Sequence, residues 1–168
     1  MGLKKNILAF FIIGALGTLG HFIYDLSGNM MLLGLVFPIN ESVWEHLKLV
    51  FFPSLIYFFI EYMLISKKAE NYIPASISSI FKAMAFIVIS FYTLNGIFGK
   101  VPDFINIIIY YVSVILMLVC RNRSIEYSKQ YSNITRLLLY FLTVVFTALF
   151  FIFSFIPPNL NIFKDPTK

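Results

Sequence analysis

Residues 134–157 read ITRLLLYFLTVVFTALFFIFSFIP, a run whose only charge, Arg136, stands near its beginning. About 20 consecutive apolar residues cross the roughly 30 Å hydrocarbon core of a bilayer as a helix. Within lipid a helix can satisfy all its own backbone hydrogen bonds. The segment is therefore read as a membrane-spanning helix. Four further runs, Ile7–Leu26, Leu47–Ser66, Ile77–Phe98 and Phe104–Cys120, are each near or above the lower limit of about 17 residues. The expected fold class is all-α, an integral membrane bundle of five transmembrane helices. The stretch Met30–Ile39 is also apolar, but it is short and carries Gly34 and Pro38. It is expected to be a re-entrant or interfacial segment between the first two spans.

Composition agrees. The chain of 168 residues is 60% hydrophobic and 12% charged, with 20 Phe, which leaves too little polar surface to wrap a soluble core. Its mean hydropathy is +0.86. Residues 1–168 are expected to form a single transmembrane domain, with the lipid bilayer as its main partner. The net charge of +5 does not indicate nucleic acid, because Lys and Arg occur in short groups between the apolar runs rather than as one basic stripe. Cys120 is the single cysteine, so no intramolecular disulfide forms and the redox compartment is not legible from it.

The basic groups orient the bundle. Lys4 and Lys5 precede the first span, Lys67 and Lys68 follow the second, and Arg121, Arg123, Lys129 and Arg136 crowd the connection before the last. The other side receives Lys48, Lys100, Lys164 and Lys168. The positive-inside rule then places the N-terminus in the cytoplasm and the C-terminus outside. A cleaved signal peptide is the competing reading of Lys4-Lys5 and the apolar stretch after them, but it would discard the helix leading into His21.

One polar island interrupts the apolar chain: His21, Asp25 and the block Asn40–His46, which together contain both histidines. The alternating topology brings it to a single membrane boundary with Asn95, Asp103 and the Pro157-Pro158 pair. A site facing outward would be assembled in this way. On a helix His21 and Asp25 share a face, with Gly14 and Thr18 continuing it and Gly17 and Gly20 beside it, so a neighbouring helix can approach closely. On the next helix Glu41, Glu45 and Lys48 form one stripe, and Ser42 and His46 the adjacent one. Imidazole and carboxylate are the ligands preferred by zinc and similar divalent ions. His21, Asp25, Glu45 and His46 are the candidate metal ligands, with Asp25 alternatively orienting His21. Glu41 and Glu45 are the candidate catalytic bases.

A plainer reading stands beside this one. Ser42 and Glu45 fit the capping box, and acidic residues suit the positive end of a helix dipole. A hydrogen-bonded structural cluster would then account for much of the island, but not for its two histidines. Trp44 is expected to be an interfacial anchor. Pro53 is expected to kink the second span. Glu61 is too far along that span to join the island, and it is expected to neutralise Lys67 or Lys68.

The motifs Gly20-His21-Phe22-Ile23-Tyr24-Asp25-Leu26-Ser27-Gly28, Phe37-Pro38-Ile39-Asn40-Glu41-Ser42-Val43-Trp44-Glu45-His46-Leu47-Lys48 and Phe51-Phe52-Pro53 resemble an uncharacterised family of small multi-pass bacterial membrane proteins, DUF6512-like. The resemblance extends over the whole chain and implies a bacterial multi-pass protein, but no activity. Three functions remain open. One is a membrane enzyme whose metal-bound water attacks an envelope or lipid ester or amide, one a small transporter or ion-coupled permease, and one a non-catalytic assembly subunit.

Overall fold

The computed structural model describes residues 3–65, 70–126 and 131–166. Those residues form α1 (Leu3–Leu26), the short α2 (Met31–Gly34), α3 (Val43–Leu64), α4 (Tyr72–Phe98), α5 (Asp103–Glu126) and α6 (Asn133–Phe155), then a 3-10 turn at Asn161–Phe163. No strand occurs among the described residues. Five of the helices are long and apolar enough to cross a membrane. All five expected spans are present, most of them longer than their apolar runs. α4 starts at Tyr72 rather than Ile77, and α5 continues to Glu126, because polar and small residues extend a helix that its apolar centre has already nucleated.

The central element is α3, with Val43 to Ser54 buried apart from the half-buried His46. It packs against α1 and α4, while α5 lies on α4 and α1, and α6 lies on α4 and α3. The core joins Ile13 of α1, Val50 and Phe51 of α3, Ala83 and Met84 of α4, Val114 and Met117 of α5, and Phe150 of α6. The outer surface is apolar too. Phe11, Leu19, Ile89, Ile107, Phe141 and Val144 are all exposed, as expected of side chains that face lipid tails rather than water.

Two glycines allow α1 and its neighbours to close. A methyl group on Gly14 would stand 2.9 Å from the Tyr111 ring, and one on Gly17 would collide with the Tyr110 hydroxyl and stand 2.7 Å from the Leu49 carbonyl oxygen. That carbonyl matters because Pro53, four residues on and inside α3, has no N–H to offer it. Tyr110 replaces that donor only in part: its single hydroxyl proton goes to the Ile13 carbonyl at 3.0 Å, with the Leu49 carbonyl as a weaker second acceptor at 3.4 Å.

The segment between α1 and α3 is anchored from within the bundle. Lys48, fully buried, donates to the Gly34 carbonyl at 2.7 Å, more weakly to that of Phe37 at 3.4 Å, to Glu45 Oε2 at 2.8 Å and to the Ser154 hydroxyl. Glu45 accepts the Ile39 backbone N–H at 3.0 Å, and its other oxygen lies 2.9 Å from Ser154 Oγ. One ion pair thus ties the short segment, α3 and α6 together. Trp44 is buried beside it, with its ring 4.7 Å from that of Phe150 and 5.0 Å from that of Phe163. The interfacial-anchor expectation for Trp44 is corrected accordingly, since the aromatic residues of α6 and the tail cover a ring that would otherwise reach a headgroup region.

A second buried ion pair closes the opposite end. Arg121 of α5 donates to Glu61 Oε2 of α3 at 2.8 Å, and the Tyr72 hydroxyl of α4 donates to the same oxygen at 2.5 Å. The guanidinium also lies over the Phe58 ring, 4.3 Å from its centre. Glu61 therefore has Arg121 as a partner, while Lys67 and Lys68 lie outside the described residues. Arg121 and Lys48 were both counted among loop charges in the orientation argument, yet both are fully buried.

Candidate functional site

Three side chains of the island meet at one end of the bundle: His21 near the C-terminus of α1, Glu41 just before α3, and His46 in the first turn of α3. One nitrogen from each histidine and one oxygen from Glu41 lie within 4.8 Å of one another. Glu41 Oε1 is 3.7 Å from His21 Nε2, and Glu41 Oε2 is 3.5 Å from His46 Nε2. The two rings are 5.1 Å apart, centre to centre.

Local sequence produces this geometry. The Ser42 side chain caps α3 by accepting the Glu45 N–H at 3.3 Å, and the Asn40 side chain accepts the Ser42 N–H at 2.9 Å. The helix starts at Val43, so Glu41 is not on it. That explains why Glu41 and Glu45 part company. The expected common stripe assumed helical rotation from Glu41 onward, whereas the extended backbone at Ser42 sends Glu41 toward the histidines and leaves Glu45 facing the bundle interior. Only half of the capping box forms, because the Glu45 carboxylate turns to Lys48 and Ile39 rather than back to the Ser42 N–H.

His46 is oriented by its own cap. Its Nδ1 lies 2.9 Å from the Ser42 carbonyl, which can only accept, so Nδ1 carries a proton and Nε2 is the nitrogen that faces Glu41 and His21. A metal-ligating histidine is commonly held in this way. His21 Nδ1 is buried without a hydrogen-bond partner. Packing sets this ring, edge-on to Phe22 and beside His46.

Of the candidate ligands, the structure brings His21 and His46 together and adds Glu41, which sequence reasoning had placed in a catalytic role. Glu45 does not join them, since both its oxygens are engaged by Lys48, Ile39 and Ser154. Asp25 is exposed, one helical turn beyond His21, and stands outside the group. Lys48 and Ser154 touch, a pairing that can serve nucleophilic chemistry, but both are buried and Glu45 neutralises the ammonium. Their role is to hold the fold.

Next to the three-residue cluster is a cavity of about 460 Å³ between α1, α3, α4 and α5. His21, Glu41 and His46 line it together with Leu49, Ile87, Phe91, Lys100, Asp103, Asn106 and Tyr110. Its volume falls within the range of about 300–1,000 Å³ typical of small-molecule sites. Asn106 and Tyr110 were not singled out in the sequence. Nothing in an apolar run distinguishes an asparagine that lines a cavity from one that faces a neighbouring helix.

Fold and site together define an all-helical bundle with five helices of membrane-spanning length and a His/Glu/His cluster opening into an apolar cavity at one end. The chain belongs to a family of unknown function, DUF6512, whose family model matches residues 3–168. No curated protein and no solved structure matches it.

Proposed function

We propose that the protein is a multi-pass membrane protein, with its N-terminus in the cytoplasm, that binds one divalent ion at His21, Glu41 and His46 on the outer side and uses it to hydrolyse an ester or amide of a lipid or envelope substrate. The observation that carries this reading is the spacing of the ligand atoms. One oxygen of Glu41 stands 3.5 Å from His46 and the other 3.7 Å from His21, longer than a hydrogen bond of about 2.7–3.2 Å, and one donor atom from each of the three residues lies within 4.8 Å of the others. A tetrahedral ion with bonds of about 2.0–2.2 Å keeps its ligands about 3.3–3.6 Å apart. The pairs are within ion-pair reach of one another, and a shared ion is the arrangement that would use both imidazoles and the carboxylate at once.

Two histidines and one carboxylate make up a donor set used by hydrolytic zinc sites, in which the fourth position holds water. The ion would lower the pKa of that water to about 7 and polarise a carbonyl oxygen placed beside it. Glu41 acts here as a ligand, and Glu45 contributes by positioning the loop that carries Glu41. The permease reading has less support, because Glu61, its proposed inner station, is pinned by Arg121 and Tyr72.

Metal analysis of purified protein tests the proposal. Wild type and Asp25→Asn should carry about one zinc per chain, and His21→Ala, His46→Ala and Glu41→Gln should lose most of it. Because protons compete for imidazole and carboxylate, the wild-type metal should also be released on acidification. Negligible metal in all five proteins would refute the reading. Loss of thermal stability in the histidine variants, with metal content unchanged, would favour a purely structural cluster.

A further inference from the structure

The cavity beside the cluster has a polar end and an apolar body, and that division is chemically specific. Its polar end is formed by His21, Glu41, His46, Lys100, Asp103 and Asn106, while Leu49, Ile87, Phe91 and Ile109 line the body. Phe22 of α1 and Ile107 of α5 also line it and are both more than half exposed, so the cavity is open between α1 and α5, helices of membrane-spanning length. A water-soluble substrate would gain little from such walls. A hydrocarbon chain gains about 0.8 kcal/mol per buried methylene when it leaves water, but nothing from leaving lipid, so the head must supply the preference.

Charge supplies it. The lining carries Lys100 against Glu41 and Asp103, one net negative charge, and a divalent ion on the cluster would turn this into one net positive charge. The Asn106 side-chain oxygen adds a buried acceptor with no hydrogen-bond partner, on a residue that lines the cavity. We propose that the cavity is the binding site of an anionic acyl lipid: one chain lies along Leu49, Ile87, Phe91 and Ile109, the anionic head sits at His21, Glu41, His46 and Lys100, and a head or glycerol hydroxyl donates to Asn106. The head charge rests on the metal reading above, whereas the chain site does not. The inference names the substrate side of that site, with lateral entry past Phe22 and Ile107.

Native mass spectrometry of the full-length protein in detergent, with dioleoyl phosphatidic acid, dioleoyl phosphatidylcholine or inorganic phosphate added, tests it. Wild type should retain phosphatidic acid about tenfold better than phosphatidylcholine, and inorganic phosphate should compete only weakly. Ile107→Trp and Phe22→Trp change exposed positions and narrow the cavity, so each should lose phosphatidic acid about tenfold, and Ile107→Trp, on α5 and away from the packing that sets His21, should also keep its zinc. Lys100→Ala should reduce the preference for phosphatidic acid without removing zinc. Retention of lipid by both tryptophan variants at the wild-type level would overturn the chain site. Equal binding of the two lipids by zinc-loaded wild type would overturn the anionic head, and phosphate binding as tightly as phosphatidic acid would overturn a lipid ligand. Wild type that takes up no zinc would refute the metal reading, and if it still retains lipid that the tryptophan variants lose, the chain site stands, so the two failures are distinguishable.

Discussion

Glu41 and Glu45 stand four residues apart and carry the same charge, yet one helix cap sends them to different tasks. Glu41 meets two histidines near the surface, whereas Glu45 meets Lys48 in the interior. A buried ion pair costs more to break than it contributes when made, because removing one member strands the other charge. Lys48→Met or Glu45→Leu alone should each destabilise the protein by about 3–5 kcal/mol. The double variant should cost clearly less than the sum of the two, although the Gly34 carbonyl and Ile39 N–H would still lack partners. A double-mutant cycle of thermal or denaturant unfolding measures this, and simple additivity would contradict the pairing. Trp44 offers a cleaner readout, being the only tryptophan. Buried among Phe146, Phe150, Phe153 and Phe163, it should emit in the blue and resist quenching by acrylamide and by quenchers placed at the lipid headgroup. An interfacial tryptophan would respond strongly to the headgroup quencher.

At the scale of elements, α1, α3 and α5 are joined through one exchange of backbone groups. Pro53 leaves the Leu49 carbonyl without its helical donor, Tyr110 approaches it from α5, and Gly17 on α1 makes room for that hydroxyl. Gly17→Ala should destabilise by about 1–3 kcal/mol through overpacking. Adding Tyr110→Phe should recover part of the loss, since it removes the hydroxyl, the nearest clash, while the ring carbon Cζ at 2.6 Å and the Leu49 oxygen at 2.7 Å still have to give way. Tyr110→Phe alone should cost about 1 kcal/mol for the lost hydrogen bonds. Unfolding of the three variants checks the coupling, and absence of any rescue would mean that the ring carbon and the Leu49 carbonyl, not the hydroxyl, limit the approach. The small-residue face of α1 was legible because glycine at these spacings lets helices approach. Its partner was not, because one tyrosine among several in an apolar chain carries no mark of the helix it will touch.

For the whole molecule, the two buried ion pairs, Glu45–Lys48 and Glu61–Arg121, lie toward opposite ends of α3 and link it to the other long helices or their connections. Their burial alters the orientation argument without reversing it. Withdrawing Lys48 and Arg121 from the loop charges leaves Lys4, Lys5, Lys67, Lys68, Arg123, Lys129 and Arg136 against Lys100, Lys164 and Lys168. A reporter fused after Lys168 should therefore be active only outside the cytoplasm. Cytoplasmic activity there would invert the bundle and turn the His21, Glu41 and His46 cluster inward.

The five spans, the short segment between the first two and the location of the polar island were all readable in the sequence, because hydrophobic length and helical period are local properties of the chain. Cap chemistry at Ser42 was readable for the same reason. Which carboxylate faces the histidines was not, since it depends on the backbone turn before Val43 and on Lys48 drawing Glu45 inward. The partners of Lys48 and Arg121 lie on helices distant in sequence, and the cavity beside the cluster exists only where four helices leave space between them. Such relations arise from packing, in which each side chain's neighbours are set by the approach of whole elements, and no single stretch of sequence encodes them.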